Sequence, residues 1–188
     1  LEPGATPEFP LDLLAPGTET EHIAYTNPGN GRIPERVAGF RDRVAQIRAS
    51  RPDRNDGPEG RGLGERCLIA FGNSSGPVMS PVMYNSHMQI VQSPGYVNII
   101  VEMAHDARII KITDDRNPSS EAHSKWMGDS IGRWEGDTLI VETKNYNAWM
   151  SYRGAPTENL TVIETFRREA NNKIIYGFTV DDPTVYTA

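Results

Sequence analysis

The sequence predicts a mainly β protein: a small antiparallel β-barrel or curled meander sheet, preceded by one N-terminal helix and a long Pro-rich N-terminal arm. Three stretches of the 188-residue chain carry this expectation. From Trp126 to Tyr146 the chain reads as two strands joined at Glu135-Gly136-Asp137. Leu139, Val141 and Thr143 fall on one face of the second strand, and Thr138, Ile140 and Glu142 on the other, the period of two expected of a half-buried strand. Ile174, Tyr176, Phe178 and Val180 alternate in the same way near the end of the chain,. Val37, Phe40, Val44 and Ile47 instead recur at spacings of three and four, one apolar stripe on a helix,.

Taken in order, residues 1–31 form the arm, 32–66 a helix with an Arg-rich loop, and 67–188 the β domain. The arm contains Pro3, Pro7, Pro10, Pro16 and Pro28 with Gly4, Gly17, Gly29 and Gly31, and no hydrophobic periodicity, so it reads as extended. A segment of this composition has too little apolar surface to order itself alone, which predicts that it works against a partner. Gly31-Arg32-Ile33-Pro34 is expected to open the helix, with Pro34 near the first helical position, where its missing N–H costs nothing. Arg51 to Gly64 is a loop. Cys67 is expected at the start of a strand as a buried thiol. Met88–Gln92 and Tyr96–Met103 flank Ser93-Pro94-Gly95, a type II turn pair. Arg108–Ile112 is a short strand and Thr113–Lys125 a polar loop. The central hairpin follows, then Leu160–Arg168 and Lys173–Val180, turning at Ala170-Asn171-Asn172. Seven or eight antiparallel strands in meander order result.

Hydrophobic residues make up 37% of the chain and the formal charge is −6, which argues against general nucleic-acid binding. The charge is uneven. Residues 1–31 hold five acids (Glu2, Glu8, Asp12, Glu19 and Glu21) and no Lys or Arg, whereas residues 32–66 hold nine Arg and six acids. An acidic arm followed by an Arg-rich segment is suited either to closing on itself or to meeting two differently charged partners. A single Cys excludes an intrachain disulfide,, and no apolar run approaches the roughly 20 residues of a membrane span. The chain opens on Leu1 rather than Met, which leads to the expectation that a signal peptide has been removed and that the protein is periplasmic.

The run Trp126-Met127-Gly128-Asp129-Ser130-Ile131-Gly132-Arg133-Trp134-Glu135-Gly136-Asp137-Thr138-Leu139, continued by Val141-Glu142-Thr143 and Asn145-Tyr146, resembles the W-x-G-D-S-x-G-R-W-E-G-D-T-L-x-V-E-T-x-N-[FY] signature of a large family of exported bacterial proteins. Gly31-Arg32-Ile33-Pro34, Glu65-Arg66-Cys67-Leu68, Gln89-Ile90-Val91-Gln92 and Phe178-Thr179-Val180-Asp181-Asp182-Pro183-Thr184 extend the likeness over about residues 28–186. The resemblance implies export from the bacterial cytoplasm; it brings no activity with it. Where such proteins commonly read D-G-R-P-H, this chain has Asp114-Asp115-Arg116-Asn117-Pro118, so that histidine is missing here.

Candidate chemistry is thin. Gly72-Asn73-Ser74-Ser75-Gly76 spells a nucleophile elbow, but Pro77 and Pro81 spoil the helix that must follow it, and a glycine-rich turn is the better reading. His22, His87, His105 and His123 are scattered without ligand spacing, so no metal is expected. The loop from Asp115 begins like a calcium site yet has Ser120 and Trp126 where glycine and glutamate belong,. No cofactor motif is present. If the protein is an enzyme, Glu102, His105 and Asp106 are the acid/base group, set at a barrel mouth. Tyr84, Asn85, Arg108, Trp126, Asp129 and Trp134 are the candidates for holding a small ligand. The plainer alternative has Asp106 and Asp129 accepting backbone N–H bonds in turns, and Arg108 and Arg133 pairing with acids across strands.

The favoured function is a non-catalytic periplasmic accessory subunit, docked through its arm onto a larger assembly such as a respiratory or photosynthetic membrane complex. Phe9, Leu11, Leu13 and Leu14 of the arm, with Arg36, Arg41 and Arg43 of the helix, are the expected partner contacts. A lyase, isomerase or hydrolase working in the barrel mouth and a ligand-binding barrel are the alternatives.

Overall fold

A computed structural model describes residues 29–70, 76, 78–80, 85–104, 106–115 and 124–187. Their frame is a curled half-barrel sheet of seven strands. In chain order the elements are α1 (Phe40–Ala49), β1 (Met88–Ser93), β2 (Tyr96–Val101), β3 (Ala107–Ile112), β4 (Asp129–Glu135), β5 (Thr138–Lys144), β6 (Ser151–Tyr152), β7 (Ala155–Pro156), β8 (Thr161–Ala170) and β9 (Lys173–Asp181). The sheet order is β1-β2-β3-β4-β5-β8-β9, and β6 with β7 makes a separate two-stranded ribbon. Among the described residues β1 and β9 each have one neighbour, so the sheet is open rather than a closed barrel.

Turn chemistry fixes the hairpins. Glu135 faces Thr138 across Gly136-Asp137, and Gly136 takes φ +59, the left-handed conformation that a tight hairpin needs. Ser93 faces Tyr96 across Pro94-Gly95, with Gly95 at φ +79. Every neighbouring pair is antiparallel except β3 with β4, which run parallel. That pair corrects the expected all-antiparallel meander. The reason is the long connection between Ile112 and Asp129: a parallel neighbour needs a crossover of a dozen residues or more, and this stretch provides it.

Strand parity builds the core. Across six strands Val97, Ile110, Ser130, Thr143, Val162 and Val180 stand in one register row. Val97, Ile99, Ile110, Leu139, Val141 and Phe166 form the main buried cluster, with Trp134 and Met79 packed against it. Val78, Tyr146, Tyr152, Leu160 and Val162 form a second. Val78 and Met79 reach the concave face from the segment ahead of β1, and the Met79 N–H donates to the Tyr176 hydroxyl at 3.1 Å.

Two local expectations are corrected. The helix starts at Phe40 instead of near Pro34. Gly39 sits at its N-terminus in the left-handed conformation (φ 73), while Arg36 forms an antiparallel bridge with Tyr186 and the Val37 N–H donates to the Val185 carbonyl at 3.0 Å. Backbone bonded to the C-terminal segment in this way cannot belong to a helix. Cys67 lies on no strand and is exposed; it occupies a turn at φ 52, its N–H donating to the Gly64 carbonyl. Among the described residues the first strand is β1, well beyond the expected start at Cys67.

Candidate functional site

The polar residues of the sheet fall into separate groups. The deepest runs across the concave face. Arg108 of β3 meets Glu164 of β8 in a two-pronged ion pair; the Arg108 side chain is 2% exposed and that of Glu164 0%. One prong is Nη1 to Oε1 at 2.9 Å and the other joins Nη2 to Oε2. Nη2 also donates to Thr143 Oγ1 at 3.0 Å and Nε to Ser130 Oγ at 3.1 Å. The Tyr176 hydroxyl donates to Glu164 Oε1 at 2.7 Å. Each of five adjacent strands, β3, β4, β5, β8 and β9, thus supplies one member.

In a flat sheet β3 and β8, three strand spacings apart, would stand roughly 14 Å from each other; the curl brings their side chains together. Burial alone would lower the Arg108 pKa, but the Glu164 carboxylate outweighs it and the pKa is raised, so the guanidinium stays charged. Burial pushes the Tyr146 and Tyr176 phenols well above their ordinary range, reinforced in both by the Glu164 carboxylate and opposed by the Arg108 charge. Both phenols therefore stay neutral. Glu164 spends its acceptors on Arg108 and Tyr176, so this is a satisfied network with no carboxylate left over for a proton transfer.

Of the residues named for catalysis, Glu102 and Asp106 lie at the turn between β2 and β3. Glu102 is exposed; it accepts the His87 N–H at 3.2 Å and faces His87 Nδ1 at 3.2 Å. The His87 backbone N–H in particular holds the Glu102 carboxyl below its usual range. Asp106 is buried and accepts the Ala70 N–H at 2.7 Å. Asn85, named for ligand contact, sits at φ 73 and accepts the Met103 N–H through Oδ1 at 3.0 Å. All three are fastened to backbone here, and such bonds position a turn. His105 and Tyr84 lie outside the described residues, as do Ser74 of the glycine-rich turn and most of the loop following Asp115.

The remaining candidates do not converge. Arg108 belongs to the buried network and Trp134 to the main core. Asp129 is buried beside the outer face, where it accepts from Asn145 Nδ2 at 2.8 Å and meets Lys125 Nζ at 2.5 Å. A small cleft lined by Thr113, Asp129, Ile131, Arg133, Glu142 and Lys144 opens there. Trp126 instead lines a cavity of about 20 Å³ with Met127, Tyr146, Met150, Tyr152 and Leu160, room for about one water molecule. Among the described residues no cluster of His, Cys, Asp and Glu has metal-binding geometry, and no helix is long and apolar enough to cross a membrane.

Of the expected partner contacts, Phe9, Leu11, Leu13 and Leu14 lie outside the described residues. Arg36 is turned inward: its guanidinium lies between the rings of Phe40 (4.7 Å) and Tyr186 (4.4 Å) and bonds the Arg153 carbonyl. Arg41 is exposed and Arg43 half-buried. Both stand on α1, none of whose ten residues is buried. Phe40, in its first turn, packs against the Ala155, Val185 and Tyr186 cluster, while Val44 and Ile47, one and two turns further on, stay only half-buried.

Nothing in the sequence marks Glu164, Ser130, Thr143 and Tyr176 as members of a polar site. Their only signal is parity: Glu164 shares its side of β8 with Val162 and Phe166, both core residues. The chain matches no protein-family model, no curated protein and no solved structure.

Proposed function

We propose that this protein is a non-catalytic accessory subunit that docks onto a larger protein assembly, with α1 as one of its contact surfaces. The observation that carries this reading is that α1 buries no residue. A ten-residue helix is marginal in water on its own, and Gly39 at its N-terminus offers no side-chain cap,. Helices of this length persist through burial of an apolar face, and the Phe40–Val44–Ile47 stripe is half-covered. A partner laid along the stripe completes the burial. The wiring of Glu102, Asp106 and Asn85 into backbone bonds is in keeping with a scaffold role. The likeness to exported bacterial proteins supports a periplasmic location, and an assembly at the membrane surface, respiratory or photosynthetic for example, suits that compartment.

Mild native purification from the source cells, followed by mass spectrometry of the fractions containing this chain, tests the reading. Stoichiometric co-migration with a larger assembly is the expected result. Elution alone as a monomer or dimer overturns it.

A further inference from the structure

Resting on the docking reading, we infer that the α1 face receives an acidic, apolar-bearing segment of the partner protein. The helix sequence FRDRVAQIRA places its groups around the axis at 100° per residue. Phe40, Val44 and Ile47 make the stripe. Arg41 and Arg48, seven positions apart, lie together along one border, and both are exposed. Neither forms an ion pair among the described residues. Arg43 lies along the other border, and its Nε is shielded from water without a hydrogen-bond acceptor. The one acid of the helix, Asp42, is on the opposite side.

An apolar strip bordered on both sides by guanidinium groups is complementary to a segment that presents leucine- or phenylalanine-type side chains between carboxylates. Apolar contact supplies the burial that α1 lacks, and carboxylates answer the cations at the borders. A basic or uncharged segment would satisfy the stripe and leave all three arginines unanswered. Specificity for an acidic partner follows from that difference.

The test uses the full chain with a photo-crosslinking benzoylphenylalanine in place of Val44, irradiated in the source cells, with the joined peptide sequenced by mass spectrometry. The inference expects a peptide of another protein, net acidic and containing apolar side chains. It also expects the crosslink yield to fall by about tenfold in an R41E/R48E background whose circular dichroism is unchanged. A neutral or basic peptide, a yield insensitive to R41E/R48E, or a crosslink to residues 1–28 of this chain or to a second copy overturns the inference, while co-migration with an assembly would keep the docking reading standing. Absence of any co-migrating protein overturns both.

Discussion

Arg108 and Glu164 close a two-pronged ion pair across the concave face although two whole strands, β4 and β5, lie between the strands that carry them. The pair needs the curvature of the sheet, and it lies shielded from solvent. Removing one partner therefore strands a buried charge. E164Q should cost about 3–5 kcal/mol in urea unfolding, and the double replacement R108M/E164L should recover most of that loss. An E164Q midpoint equal to that of the unaltered protein would show that the pair does not hold the sheet.

Tyr176 connects the same network to the segment covering the concave face, donating to Glu164 and accepting from the Met79 N–H. Y176F leaves both of those groups short of a partner and should cost about 1–3 kcal/mol. Amide exchange at Met79 should quicken more than exchange within β4 and β5, which separates a local loss from general loosening.

The buried phenols give the protein an alkaline limit. Folding raises the pKa of Tyr146 and Tyr176. Their contribution is intact below the unfolded value of about 10 and declines as pH rises beyond it, because the unfolded chain then releases protons that the folded one retains. Stability measured by circular dichroism should begin to fall near that pH, together with a cooperative rise in phenolate absorbance. Y146F should make the fall less steep; an unchanged slope would argue against this assignment.

Parity made much of the sheet legible. Leu139, Val141 and Thr143 are all buried, on the face that alternation assigned to them, and the Gly136 and Gly95 turns lie where their dipeptides stand. Other features depend on the third dimension. Parity marks Arg108 and Glu164 as inward charges, but nothing local says that β8 neighbours β5 or that the curl joins β3 to β8. The parallel β3–β4 pair is equally hidden, since a long polar connection reads the same whether the chain turns back or crosses over. The helix start is hidden for a different reason: Pro34 suits a first turn, yet bonding of residues 35–37 to the C-terminal segment overrides it.

Gly132 records how closely β3 packs on β4. A Cβ placed there would stand 2.8 Å from Ile110 Cγ2 and 2.9 Å from Ile112 Cδ1. G132V should destabilise the protein by about 1–3 kcal/mol through overpacking, read as a lowered thermal midpoint. The same replacement at the open hairpin position Gly95 would act through its positive φ instead, without disturbing the core.

The Arg36 guanidinium joins the start of α1 to the C-terminal segment through Phe40 and Tyr186. R36A should loosen this clasp by about 1–2 kcal/mol, and hydrogen exchange of the Val37 and Thr187 amides, which bond Val185 and Glu35 at 3.0 Å, should report it. R36K should retain part of the protection. Equal exchange in all three proteins would show that the stacking contributes nothing.

The parallel seam between β3 and β4 also divides the sheet in time. On one side β1 to β3 form a local meander, and on the other β4, β5, β8 and β9 form a second, each built from contacts close in sequence that can nucleate early. Joining them requires closing the long connection, and until it closes Arg108 and Glu164 belong to separate bodies. The ion pair is thus expected to form late on the folding path. Its loss should be felt chiefly as faster unfolding, with the folding rate nearly untouched, so the pair acts as a latch on the lifetime of the folded sheet more than as a guide to its formation.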